Sequence, residues 1–458
     1  MQNYSIFFTK MRFYRFFLII LHAEMIFNRN KVQNMNKILA GFVMAAMTTT
    51  AFAQSNSYSP YSQYGLGDLT DQSVGFNKGM NGVGVAMRKG NEVNPMNPAS
   101  YSSVDSLSML FDAGLSGQMT KFEEGGARLT AKGGGFDYVT ALFRAWKHVG
   151  VSFGIMPYSN IGYDYSLTTR LPETNASVVS NYEGNGGLHE LFLGGGWNII
   201  KPLSLGFNIS YLWGEYDRKI YTSSSSSINN LSKQYKADIS SYRLTIGAQY
   251  DLALGKNNNL VFGATWSPGH NLESDAECLI LNRNSSISKS DTTLFVLENA
   301  LALPDTYGFG VSFNHSNVFR VGADLTIQEW GSVDFPHFDG KEYKLKSGLL
   351  KDSYRMNGGL EWTPRAMSRR FLERVRYRIG AGYATPYYNI NGKEGPEEYS
   401  ASIGFGIPII NGYNNRSLLN ISAQWVHRSA DNLLTENTFR INIGLTFNER
   451  WFAKWKVE

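Results

Sequence analysis

Residues 439–448, close to the C-terminus, read FRINIGLTFN. Phe439, Ile441, Ile443, Leu445 and Phe447 fall on one side of an extended chain and Arg440, Asn442, Gly444, Thr446 and Asn448 on the other, because successive side chains of a strand point to opposite faces. The same period runs through Tyr242, Leu244, Ile246, Ala248 and Tyr250 against Arg243, Thr245, Gly247 and Gln249. It returns in Val375, Tyr377, Ile379, Ala381 and Tyr383 against Arg376, Arg378, Gly380 and Gly382. Half-buried strands produce this pattern in two settings. A soluble sandwich turns the apolar face inward, and a membrane barrel turns it towards lipid.

The lengths between strands separate the two settings. From Ser106 onward strands are expected near 106–119, 134–147, 149–168, 187–200, 203–216, 238–253, 259–268, 304–315, 317–330, 352–363, 373–387, 398–410, 417–428 and 437–449. That is about fourteen, an even number, as single-chain bacterial barrels have. Short connections at 147–148, 201–202, 255–258, 314–317, 364–373 and 411–416 alternate with longer ones, among them a serine-rich loop at 223–227 and the longest at 268–304. Short periplasmic turns alternating with long external loops are the outer-membrane arrangement, and both termini then fall on the periplasmic side. Tryptophans favour membrane interfaces. Trp146, Trp197 and Trp362 fall at expected periplasmic strand ends, Trp266 and Trp330 at external ones.

Composition agrees. The 458 residues are 43% hydrophobic and 14% aromatic, with 46 glycines and a mean hydropathy of −0.26. Past the N-terminus no apolar run approaches the roughly 20 residues that a membrane helix needs. The single cysteine, Cys278, rules out an internal disulfide or a cysteine zinc cluster.

The N-terminus indicates export. Residues 35–54 read MNKILAGFVMAAMTTTAFAQ: Lys37, an apolar core from Ile38, then Ala51-Phe52-Ala53 before Gln54. This is a signal peptide, 35–53, whose apolar core is too short for a membrane anchor. Residues 1–34 read as an over-extended leader, or else as a long basic region of the same signal. The formal charge of +5 resides there: Lys10, Arg12, Arg15, Arg29, Lys31 and Lys37, against Glu24, account for all of it. The mature chain is therefore neutral, and nothing points to nucleic acid.

Residues 54–105 are too glycine-rich and polar for strands. Gly75, Gly79, Gly82 and Gly84, then Ala86, Asn91 and Asn97-Pro98-Ala99, lead straight into the first strand. Pro98 fixes φ and Asn97 can bond the local backbone, which makes a rigid corner; a generic turn is the plainer alternative. With the even strand count, this segment resembles the N-terminal hatch of the FadL-type long-chain fatty acid and hydrocarbon transporters. The resemblance implies a plug at 54–105, a barrel at 106–450, a short periplasmic tail at 451–458, and passive uptake of a hydrophobic ligand through the outer membrane. It also implies an inward kink in the third strand. There the sequence VSFGIMPYSNIGYDY places Pro157 between Gly154 and Gly162. Proline cannot donate to a ladder, so pairing is expected to break and to leave a sideways opening, or else a simple bulge.

Arg243, Arg320, Arg355, Arg376, Arg378 and Arg440 are expected to face the lumen, with Asp324 and Glu361 opposite. Such cations could meet a ligand carboxylate, but barrel interiors also carry ion-pair lattices that brace the wall. No histidine or cysteine spacing suggests a metal, cofactor or nucleophile. Cys278 is expected in an external loop, and the Gly82-Val83-Gly84 string lacks the strand and helix of a phosphate loop. The expected partners are outer-membrane lipids and a small hydrophobic molecule. Rival readings are a scaffold or shuttle for other surface or periplasmic proteins, and a porin for polar solutes.

Overall fold

The computed structural model describes residues 59–170, 177–224, 229–284, 289–316, 318–411 and 414–450. The expected leader, signal peptide and C-terminal tail lie outside them. Strands are β1 (Ser108–Glu124), β2 (Ala127–Trp146), β3 (Val149–Arg170), β4 (Ser177–Ile200), β5 (Leu203–Ser224), β6 (Asn229–Ala253) and β7 (Asn258–Ser267). They continue as β8 (Thr306–His315), β9 (Phe319–Gln328), β10 (Ser353–Trp362), β11 (Arg376–Ala384), β12 (Glu397–Asn411), β13 (Asn414–Ser429) and β14 (Thr435–Arg450). Each pairs antiparallel with its neighbours, and β14 pairs with β1 from Arg450↔Ser108 to Thr435↔Glu123, closing a 14-stranded barrel.

The period-two pattern has the lipid-facing sense. Ile441 and Ile443 are 47% and 49% exposed, whereas Asn442 and Thr446 are buried in the lumen. Among the described residues no helix is long and apolar enough to cross a membrane. Trp146, Trp197, Trp362 and Trp266 face outward. Trp330 does not: it is wholly buried beneath the loops, its ring tilted against that of Tyr387 at 4.9 Å, so it is a core residue rather than an interface anchor.

Three features differ from the sequence expectation. No long loop joins β1 to β2; the strands run on to Gly125-Gly126, whose φ angles of +56° and +86° make the tight turn that matches strand twist. β3 runs 22 residues, close to expectation, but β4 to β6 run 24, 22 and 25, well beyond the expected strands and at least twice the 9–11 or so needed to cross a bilayer. Their far portions have polar outward residues, Asn181, Glu183 and Asn185 in β4, because beyond the membrane nothing demands an apolar face. The stretch 268–304 also contains a hairpin, Ser274–Asn284 with Lys289–Leu297, whose first arm pairs onto β6. Cys278 is a buried residue of that arm, not of a loop.

The barrel has its core inside it. Residues 59–107 fill the lumen, carrying the short helices Pro60–Gln63, Gly75–Lys78 and Pro98–Ser103. At the end where β1 begins and β14 finishes, Val74, Phe76, Met80, Met87 and Tyr101 pack against wall residues Leu110, Tyr138, Leu142 and Phe192. At the far end, Tyr61 and Leu66 are enclosed by Tyr158, Tyr216, Leu272, Trp330, Tyr387 and Tyr388, so loops folded inward cross the barrel mouth.

Candidate functional site

The glycine string and the Asn-Pro-Ala corner tie the inner segment to the wall. Gly75 donates its amide to the Tyr138 hydroxyl at 2.7 Å. Gly79 passes so near β12 that a Cβ on Gly404 would sit 2.7 Å from its Cα. Gly82 has φ +82°, where a side chain is strained. The amides of Gly84 and Val85 converge on Asp324 Oδ2 of β9, at 2.5 and 2.8 Å. Asn97 does two jobs at once. Its Oδ1 accepts from the Ala99 amide at 3.1 Å and caps the helix that starts with Pro98, while its Nδ2 donates to Val85 O and to Ala248 O of β6 at 2.8 and 3.1 Å.

The matching wall positions are inward-facing glycines, which sequence reasoning did not single out. A Cβ on Gly206, Gly247, Gly263 or Gly380 would come within 2.2–2.5 Å of inner-segment atoms at Pro98, Asn97, Val85 and Met80. Glycine at an inward position of a strand marks close approach by another backbone, and that signal was present in the alternating pattern.

All six candidate lumen arginines have protein acceptors. Arg243 meets Glu190 at 3.1 Å, Arg355 meets Glu398 at 3.0 Å, and Arg440 donates twice to Gln118 Oε1. Arg320, Arg376 and Arg378 surround two carboxylates: Glu92 of the inner segment and Glu361 of β10. Arg320 Nη2 is 3.0 Å from both, Arg378 Nε is 2.7 Å from Glu361, and Arg376 bonds Glu92. Lys89 joins at 3.4 Å from Glu361. Burial would raise the Glu92 carboxyl, but Arg320 and Lys89 outweigh it and hold it below the usual glutamate range. Burial and Arg376 press the Lys89 ammonium down to about 8, against the pull of Glu361 and Glu92. Asp324, expected opposite an arginine, instead takes backbone amides.

Pro157, Gly154 and Gly162 lie beside an interruption in the wall. β2 and β3 pair only from Trp146↔Val149 to Val139↔Ile155; farther along, β2 keeps β1 and β3 keeps β4. The expected loss of pairing at Pro157 is absent on the β4 side, where one bulge at Tyr158 is absorbed and pairing runs on to Arg170↔Ser177. Gly154 lies in the paired part, its Cβ position 2.6 Å from Val139 O. From 157 to 162 the edge of β3 left by β2 is taken by the inner segment. Asp68 and Leu69 pair with Asn160 and Ser159, Thr70 N donates to Tyr158 O at 3.0 Å, and Thr70 Oγ1 and Gln72 Nε2 donate to Pro157 O. Ser59 N donates to Gly162 O at 2.9 Å, and Gly162 N to Ser62 Oγ at 3.1 Å. The N and O of one strand residue point the same way, so the donor that Pro157 lacks is missing from this edge.

Two ion pairs fasten the cover: Lys78 to Asp137 of β2 at 2.7 Å, and Asp68 to Arg428 of β13 at 3.0 Å. Behind Asp68–Leu69 lies a cavity of about 180 Å³, lined by residues of the cover and of β4 to β13.

Comparison with solved structures returns barrels of the FadL type. The toluene transporter TodX of P. putida is 14% identical, with 84% of this chain and 100% of that one covered and a TM-score of 0.59. A Pseudomonas aeruginosa FadL homologue is 11% identical over 83% and 99%, TM-score 0.58. The Ralstonia pickettii toluene transporter TbuX is 11% identical over 83% and 99%, TM-score 0.57. At such identities the likeness is one of fold. No curated protein sequence matches. The family model described as BamG matches residues 35–458, and the chain belongs to the BamG family.

Proposed function

We propose that the protein is an outer-membrane channel for passive movement of hydrophobic small molecules, with the β2–β3 gap as a lateral gate and residues 59–105 as its hatch. The observation that carries this is the place where β3 loses β2 and gains its own N-terminal segment instead. Unpaired backbone is tolerated at membrane depth only where it borders protein or a cavity, and here a removable segment supplies the pairing. The apolar cluster across the far mouth and the hatch at the other end leave the gap as the shortest route between cavity and lipid. The toluene transporters that share the fold support an apolar cargo. In this reading the Arg450 end of β14 is periplasmic, the long strands β3 to β6 stand on the external side, and the inner segment starts at the external mouth, where Ser59 meets Glu436; the expected periplasmic N-terminus is not kept.

Leu69→Cys with Ser159→Cys, in a Cys278→Ser background, tests the gate, since Leu69 and Ser159 are register partners. Oxidised protein in liposomes is expected to lose uptake of labelled toluene, and reduction to restore it. Equal uptake in both states rules out a gate here.

A second reading, a scaffold for other surface proteins, draws on the sheet that β3 to β6 and the hairpin 274–297 raise beyond the barrel, where Leu294 and Val296 are 55% and 49% exposed. Uptake indistinguishable from that of empty liposomes by folded protein favours it.

A further inference from the structure

Resting on the transport reading, we infer that the cargo is an amphiphile whose head group donates hydrogen bonds and carries no negative charge, and that long-chain carboxylates are excluded. The cavity directly behind Leu69 carries five carboxyl side chains, Asp68, Asp71, Glu190, Asp324 and Glu398, against three guanidiniums, Arg243, Arg355 and Arg428. Each of the three is already paired with a protein carboxylate. Arg243 is 3.1 Å from Glu190, Arg355 is 3.0 Å from Glu398, and Arg428 is 3.0 Å from Asp68 and 2.9 Å from Glu398. A fatty acid would have to compete with these carboxylates for a guanidinium and would add a further anion to a buried site that already holds more acids than cations, which is unfavourable. A hydroxyl or ammonium head instead finds acceptors in surplus. At about 180 Å³ the cavity is smaller than the roughly 300–1,000 Å³ of pockets that enclose whole drug-sized ligands. It therefore suits a head group, and the apolar tail would extend past Leu69 and Tyr158 towards the β2–β3 gap.

The test uses the mature chain in phosphatidylcholine nanodiscs and three labelled amphiphiles of equal chain length: dodecanol, dodecylamine and dodecanoate. Binding is measured against empty nanodiscs, which corrects for partition into lipid. Dodecanol and dodecylamine are expected to bind at least tenfold more tightly than dodecanoate. Glu190→Gln, which leaves Arg243 without its partner, is expected to raise dodecanoate affinity at least tenfold; if that variant fails the heat-shifted gel test of folding, the wild-type series alone decides. Dodecanoate binding as tightly as the other two overturns the head-group inference and leaves the transport reading standing. No binding of any of the three above empty nanodiscs likewise overturns the head-group inference, while the transport reading is decided separately by the toluene uptake test.

Discussion

At the scale of single residues, Lys89 and the wall glycines make opposite demands. Four cations, Lys89, Arg320, Arg376 and Arg378, surround two carboxylates, Glu92 and Glu361. Lys89 is the one whose ammonium is pressed down, from 10.5 to about 8. A depressed lysine binds its proton less well folded than unfolded, so below about pH 8 the fold carries the whole penalty, and the penalty fades as pH rises from about 8 towards 10.5. Lys89→Met should therefore stabilise the fold at neutral pH by about 1–2 kcal/mol once the exposed 22% of the side chain is allowed for, seen as a raised melting temperature. The gain over wild type should shrink in alkaline scans, and a lowered melting temperature at neutral pH would contradict the charge argument. Gly263→Val should destabilise by about 1–3 kcal/mol, because its Cβ would meet Val85 O at 2.2 Å. Gly117→Val is the matched control, with nothing within 4 Å of its Cβ, and should leave the melting temperature unchanged or slightly raised.

At the scale of elements, the third strand has two different edges. Its β4 edge is an unbroken ladder apart from the Tyr158 bulge, and its other edge depends on the backbone of Ser59, Asp68, Leu69 and Thr70 and on the side chains of Ser62, Thr70 and Gln72. Hydrogen exchange should report this directly. Ser62→Ala is expected to speed exchange in a peptide covering 158–165 and to leave one covering 149–156 unchanged; equal protection in both would mean that the inner segment adds nothing to that edge. The sequence made the strands themselves legible, since a two-residue period with one lipid face fixes both type and register. It showed that Pro157 matters without showing which neighbour is lost, because a missing donor faces one edge and a linear pattern does not say which. The far halves of β4 to β6 escaped notice for a related reason: above the bilayer Asn181, Glu183 and Asn185 erase the apolar alternation by which strands are recognised. The Asn97-Pro98 corner was readable because capping is local, whereas the partnership of Gly263 with Val85 joins positions far apart in the chain.

At the scale of the whole molecule, the barrel and the sheet that rises from it are separable. β7 and β8 pair directly, from Ser267↔Thr306 to Asn258↔His315, without help from the hairpin between them. Replacing residues 272–301 by a short polar turn should leave a barrel that still shows heat-shifted gel mobility, while the loss of Leu272, Ala276, Cys278 and Leu301 loosens the cluster at the mouth. A variant that no longer folds would show that the raised sheet is part of the barrel's own stability. The closing of the wall has a further consequence, one of assembly order. The segment enclosed by the barrel is synthesised before any strand, and the seam between β14 and β1 is the last ladder that the chain can complete. With backbone meeting backbone at Gly206, Gly263, Gly380 and Gly404, a finished cylinder has no slack through which that segment could be threaded afterwards. Maturation must therefore wrap the wall around residues 59–107, so an error in that segment would stall insertion at an open, unsealed sheet.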